Sequence, residues 1–292
     1  ISMDTPENTA ATTANSPGSD DPRRARRTVT TPSRRPTFRP IVPDRPHPVR
    51  LLPGLYQVGG GYLSHSRDAA SYLIRDEATG EGILVDCGSH CGAEALLSNL
   101  GQVTDPRRIR LIIGTHGHWD HVEGVGHLRE AGIDAPFAIH ELDAGHVRTG
   151  DPDLTCAGFL YNESFHTFEP DALLKGGESY RVGDFEMEVM HLPGHSPGCI
   201  GIKMLYARTG QVILLPGDSI QGGFGKRIHS SISQWRQSVR RLMSERIDLL
   251  LPNHLPPGSQ TSLLADVPNR LARVYSQLET NFQSFSDHQR TL

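Results

Sequence analysis

Thr115-His-Gly-His-Trp-Asp-His121 sets three imidazoles and a carboxylate on one short stretch, directly after the apolar run Ile109-Arg-Leu-Ile-Ile113. Imidazole nitrogen and carboxylate oxygen are the donors that zinc, iron and manganese share, provided they are deprotonated and convergent. A run ending Ile-Ile-Gly-Thr reads as a buried strand. The glycine turn after it puts His116, His118, Asp120 and His121 on the loop leaving the strand's C-terminal end, where side chains enter one crevice. The chain has 15 histidines in 292 residues, so a chance cluster on a solvated loop is the competing reading. The two readings separate on whether further donors follow other strand-like runs.

Three such stretches follow in order: Leu192-Pro-Gly-His195-Ser-Pro-Gly198, Leu215-Pro-Gly-Asp218 and Leu250-Leu-Pro-Asn-His254. A fourth precedes them, Gly82-Ile-Leu-Val-Asp86. With the His-x-His-x-Asp-His stretch, this series resembles the ordered motifs of the metallo-β-lactamase superfamily, from roughly Leu51 to Gly258. The resemblance implies an α/β fold, the αβ/βα four-layer sandwich with its site at one edge. It implies one metal held by His116, His118 and His195, a second held by Asp120, His121 and His254, and Asp218 bridging the two. Asp86 would brace the metal loops by hydrogen bonding, which orients the ligands.

Asp218 also bears on the branch. True β-lactamases lack a bridging aspartate at that motif, so the resemblance disfavours a β-lactamase and points toward glyoxalase II-like thioesterases, lactonases, phosphodiesterases and oxidative members. The implied cofactors are two divalent ions, zinc first, with iron or manganese as alternatives. Two such ions roughly 3.5–4 Å apart share one water and lower its pKa toward about 7. The expected reaction is cleavage of an acyl bond, thioester or ester/lactone, by a metal-bridging hydroxide that Asp120 orients, with no serine or cysteine nucleophile. No basic cluster for a glutathione carboxylate is evident near the C-terminus, and no tyrosine stands between Asp218 and His254 to assist a lactone carbonyl. The alternative is an iron-dependent oxidoreductase of the same fold, persulfide dioxygenase-like or diiron.

Charge and composition narrow the partners. The net charge is −4, and residues 1–50 hold nine arginines against five acids, which leaves −8 on the remainder. An acidic catalytic part argues against a nucleic-acid substrate, which needs a basic stripe to meet phosphates. A small-molecule acyl substrate is expected instead. No run approaches the roughly 18 apolar residues of a membrane helix, and no apolar segment follows Arg23-Arg-Ala-Arg-Arg27 as a secretory signal requires, so the expected location is cytoplasmic. Residues 1–48 read as a solvated Pro/Arg-rich tail with no assigned function, and residues 49–292 as the catalytic domain. Cys87, Cys91, Cys156 and Cys199 show neither zinc-knuckle spacing nor the density of a disulfide scaffold and read as reduced thiols.

Hydrophobic periodicity predicts strands at Leu55–Val58, Ser71–Arg75, Ile83–Asp86, Ile109–Ile113, Ser179–Val182, Phe185–His191, Cys199–Tyr206, Val212–Leu215 and Ile247–Leu251. It predicts helices at Cys91–Leu100 and Val122–Ala131, and another through Ile232, Trp235, Val239 and Leu242 with a cap at Ser230 or Ser231. A closing helix carries Val267, Leu271, Val274, Leu278, Phe282 and Phe285. It is expected to pack on the sandwich, with dimerisation through it as the lesser alternative. The aperiodic segment from Arg148 to Pro170 brings Phe159, Tyr161 and Phe165 near the expected mouth as candidates for an acyl pocket, the competing reading being a small core of the insert itself. The Gln221–Arg227 stretch with His229 is a second candidate wall.

Overall fold

A computed structural model of the chain describes residues 47–221, 225–254 and 266–290. The basic tail is therefore outside the described residues except for His47 and Pro48, as is the middle of the Gln221–Arg227 stretch.

Two sheets form the centre. The first has seven strands in the order β1 (Val49–Leu52), β2 (Leu55–Gln57), β3 (Tyr72–Arg75), β4 (Gly82–Val85), β5 (Ile109–Ile113), β6 (Phe137–His140) and β7 (Ala172–Leu174). The second follows as β8 (Ser179–Val182), β9 (Phe185–His191), β10 (Ile200–Tyr206), β11 (Gln211–Leu215) and β12 (Leu249–Leu250), adjacent in the order β12-β11-β10-β9-β8. From β4 to β7 the pairing is parallel, which needs crossovers and leaves the strand ends aligned at one edge.

Side-chain alternation builds the layers. In β3, Tyr72 and Ile74 join one buried cluster while Leu73 joins another; in β4, Ile83 and Val85 oppose Leu84 in the same way. Period-2 alternation with apolar residues on both faces is what a sheet covered on both sides requires. One face meets Phe185, Met187, Val189, Ile200, Ile202 and Met204 of the second sheet, which is the sheet-to-sheet core. The other face is covered by α1 (Ala93–Val103), α2 (Trp119–Val122), α3 (Val125–Glu130) and α4 (Ala144–Thr149), through Leu96, Leu100, Trp119, Val122, Leu128 and Val147. On the far side, Leu214 and Leu250 pack with Leu242 of α5 (Ile232–Ser244) and with Val267 and Leu271 of α6 (Val267–Arg290). The result is the expected four layers, helices outside two stacked sheets.

Helix α5 begins where the sequence predicts. The Ser231 side chain accepts from the Gln234 N–H, satisfying one of the orphan amides of the first turn. The first half of α6 packs on α5: Tyr275 stacks on Trp235 at 5.8 Å, and Arg236 and Glu279 form a bidentate pair.

Three strands went unpredicted. β1 and β7 are half-exposed edges without strong alternation, and β6 is a four-residue run. The expected helix Val122–Ala131 is two helices, because Glu123 and Gly124 interrupt it.

Helix α5 also seats the loop that carries His195. Ser238 donates to the Pro193 carbonyl at 2.7 Å, and the Ser231 N–H donates to the Gly194 carbonyl. Gly194 has φ +143°, and a Cβ there would lie 2.4 Å from the Trp235 Cα. Neither the helix backbone nor a left-handed residue yields cheaply, so Gly194→Ala is expected to cost at least about 2 kcal/mol of stability. A urea-unfolding midpoint measures it, and an unchanged midpoint would contradict this packing.

Candidate metal centre

The donors of the predicted set arrive from the C-terminal ends of four strands. β5 ends at Ile113, and the chain turns through Gly114 and Thr115 into His116 and His118; Asp120 and His121 then lie in the single turn of α2 rather than on an open loop. The loops after β9, β11 and β12 deliver His195, Asp218 and His254. His116 and His121 are fully buried, and His118, Asp120, His195 and Asp218 nearly so. His254 keeps a partly exposed side chain, which places the opening of the site on its side.

Three overlapping triads have donor atoms mutually within 4.8 Å: His116, His118 and His195; His116, His121 and Asp218; and Asp120, His121 and His254. His118 Nδ1 lies 3.1 Å from His195 Nε2, and His121 Nε2 lies 3.3 Å from His254 Nε2. The carboxylates sit between them. Asp218 Oδ2 is 3.5 Å from His195 Nε2 and 3.3 Å from His254 Nε2, and Asp120 Oδ2 is 3.4 Å from His254 Nε2.

These residues fit a divalent cation. His116 Nε2 is buried with no hydrogen-bond partner among the described residues, an expensive arrangement for a lone pair facing protein alone. Zinc–nitrogen bonds of about 2.0–2.1 Å place neighbouring donors roughly 3.3 Å apart, the separation at which the two imidazole pairs stand.

The electrostatics split the histidines. Burial, with His121 and His118 close by, pushes His116 well below the ordinary imidazole range; burial and then His195 do the same to His118. Those two are neutral and ready to ligate. Burial also opposes charge on His121, but the carboxylates of Asp120, Asp218 and Asp86 outweigh it and hold His121 well above the ordinary value. The Asp218 carboxylate raises His254 in the same sense. Burial opposes charge on Asp218 as well, yet His254 and His121 keep its carboxyl well below the usual range.

Asp86 is fully buried at φ +55°, outside the donor set. It accepts from the Thr115 N–H at 2.8 Å, the Thr115 hydroxyl at 2.9 Å and the Asn253 amide at 2.7 Å, and it pairs with His121 Nδ1 at 2.8 Å. The last contact keeps a proton on His121 Nδ1, so that Nε2, facing Asp120 and Asp218, is the nitrogen that would give up its proton to a cation.

Asp143, which the sequence reading passed over, does comparable work. It takes the Gly117 N–H at 3.1 Å, the Ser196 hydroxyl at 2.6 Å and the Gly198 N–H at 2.6 Å, tying the loop of His116 and His118 to the loop of His195. Its signal was an acid shortly after an apolar run, the same grammar as Asp86, and it was hidden because β6 was not recognised. Asn253, beside His254, ties the Ala70 carbonyl to Asp86 and was missed for want of any local pattern.

The three pocket candidates part company. Tyr161 stacks on Trp119 at 4.7 Å; burial and the nearby Asp120 carboxylate push its phenol well above its usual pKa. Phe159 is 47% exposed and lies under the Arg227 guanidinium. Phe165 is buried in the helix-side core with Phe168 6.1 Å away, so it packs the insert rather than lining a mouth. Cys87, Cys156 and Cys199 are buried free thiols; burial pushes Cys156 up to about 12, far from a reactive thiolate.

The family model described as the metallo-β-lactamase superfamily matches residues 67–254. The chain belongs to that superfamily. Among its relatives, an uncharacterized protein of Aquifex aeolicus is 32% identical over 176 residues, 59% of this chain and 77% of the relative. The human acyl-coenzyme A thioesterase MBLAC2 is 28% identical over 246 residues, 76% of this chain and 84% of that enzyme. A hydroxyacylglutathione hydrolase of Cereibacter sphaeroides is 29% identical over 63% of this chain, which spans 61% of that enzyme's length. A metallo-β-lactamase of Cronobacter sakazakii has the same fold at TM-score 0.68 and 22% identity, covering 85% of this chain and 97% of that one. That likeness is one of fold. The class is thus a metallo-β-lactamase-fold hydrolase with donors arranged to hold metal, and among the described residues no helix is long and apolar enough to cross a membrane.

Proposed function

We propose that the chain is a dinuclear metal-dependent hydrolase of acyl bonds, thioesters before oxygen esters. The observation that carries this reading is the sharing of Asp218, whose carboxylate stands between His195 on one side and His121 and His254 on the other. His116, His118 and His195 would hold one ion and Asp120, His121 and His254 the other, with Asp218 common to both. Five imidazoles and two carboxylates favour zinc, with iron or manganese as the alternatives. When bound, such ions supply Lewis acidity and a water that ionises near neutral pH.

The chain's own residues do the rest. Asp86 holds His121 in one tautomer, and Asp143 keeps the two ligand loops in register. Asp120 would accept a proton from the attacking water and orient it, with the Tyr161 phenol close by. Tyr161, partly exposed and backed by the buried Trp119 ring, would offer an aromatic surface beside Asp120 to the apolar part of an acyl group. The names of the human and Cereibacter relatives, both thioester-cleaving enzymes, support the thioester ahead of the ester or lactone.

The test is a panel of acyl-coenzyme A, acylglutathione, lactone and phosphodiester substrates with the zinc-loaded protein. Thiol release from a thioester, abolished by chelation and restored by zinc, is the expected outcome. Oxygen uptake on a persulfide by a protein holding one iron, with no thioester cleaved, would replace the proposal with the oxidoreductase reading.

A further inference from the structure

Outside this centre a second set of donors meets. His90 opens the short 3-10 turn ahead of α1, Glu123 follows α2, and His166 belongs to the Arg148–Pro170 insert. One donor atom from each lies within 4.8 Å of the others. Glu123 is fully buried. One of its oxygens accepts from the His90 N–H at 2.6 Å and stands 2.7 Å from His90 Nδ1, and the other meets His166 Nδ1.

A third imidazole, His127, stacks on His90 at 5.9 Å and stands 6.2 Å from His166, and Cys91 Sγ is 3.5 Å from His90 Nε2. Among the described residues no lysine or arginine pairs with Glu123. A buried carboxylate is costly unless its charge is matched, so the match must come from the imidazoles themselves or from a cation they help to hold.

Two hydrogen bonds from neutral imidazoles would satisfy the oxygens without supplying a charge. The convergence goes further than that, since the two imidazoles lie 33 and 43 residues from Glu123 in sequence, yet their ring nitrogens stand within 4.8 Å of each other as well as against its carboxylate. Donor–zinc bonds of about 2.0–2.2 Å put neighbouring donors roughly 3–3.5 Å apart, so small side-chain rotations separate this group from a coordination shell.

We infer that His90, Glu123 and His166 form an additional divalent-cation site of the zinc class, structural in role, with His127 or a water completing the shell. The ion pins the insert, which carries Tyr161, to the end of the helix that bears Asp120 and His121. It thereby fixes the wall of the crevice without taking part in the chemistry. The site stands independently of the acyl-hydrolase reading.

Equilibrium dialysis against micromolar Zn2+ followed by elemental analysis tests it, on wild type, His166→Ala and Glu123→Gln. The His166 side chain is 64% exposed, so its truncation leaves the core intact, and Glu123→Gln keeps the shape while removing the charge. Both variants are expected to hold one zinc per chain fewer than wild type. The difference is read rather than the total, so the result is valid whatever the main centre holds. Zinc should also slow amide exchange around residues 163–168 in wild type and not in His166→Ala. Equal zinc content in all three proteins overturns the site.

Discussion

Asp218→Asn is expected to lose bound metal and hydrolysis together, with kcat/KM falling at least about 10³-fold. Replacing a residue that merely orients a ligand costs 10–100-fold in affinity or activity, and Asp218 is proposed to touch both ions. The substitution keeps the size but removes the charge that faces His195, His121 and His254 within 3.6 Å. Three imidazoles then lose their common anion, and two cations placed side by side lose the carboxylate that offsets their repulsion. His116→Ala should act in the same direction for a different reason, since it removes the buried Nε2 lone pair that no group among the described residues satisfies. Metal content and steady-state rates on the same preparations check this. A variant that keeps its metal and its rate would remove Asp218 from the centre.

The second large effect belongs to a residue that holds no metal. Asp86→Ala strands the Thr115 N–H, the Thr115 hydroxyl, the Asn253 amide and His121 Nδ1 in a fully buried site. Removing one partner from a buried charged network costs about 3–5 kcal/mol, and alanine at φ +55° adds roughly 1 kcal/mol of backbone strain. Urea unfolding of the metal-free protein should show a loss on that scale, while zinc affinity falls because His121 no longer has a fixed tautomer. Asp86→Asn retains one acceptor and should fall between wild type and alanine. A loss under about 1 kcal/mol would mean the network is not what holds these loops.

The donors were legible in the sequence because each comes within a few residues after a strong apolar run that forms a strand, so the strand ends carry them. Asp86 was legible for the same reason. What stayed hidden was the material that braces the donors. Asp143 follows a four-residue strand too short to announce itself, and Asn253 works through partners 167 and 183 residues away. Aromatic content alone could not sort Phe159, Tyr161 and Phe165, since all three have the same composition signal and only the fold of the insert decides which faces Asp120, solvent or the core. The His90, Glu123 and His166 group was invisible for a related reason: its three members have no common spacing and meet only once α2 stops at Glu123.

Side chains from separate strand ends are proposed to enclose two adjoining cations. Anomalous diffraction at the zinc edge from crystals of the zinc-loaded protein tests this arrangement most directly. The expected result is a peak among His116, His118 and His195 and a second among Asp120, His121 and His254, each about 2.0–2.2 Å from its donors, with Asp218 reaching both. A loaded crystal with no anomalous peak among these residues, or with the imidazoles turned away from one another, would contradict it.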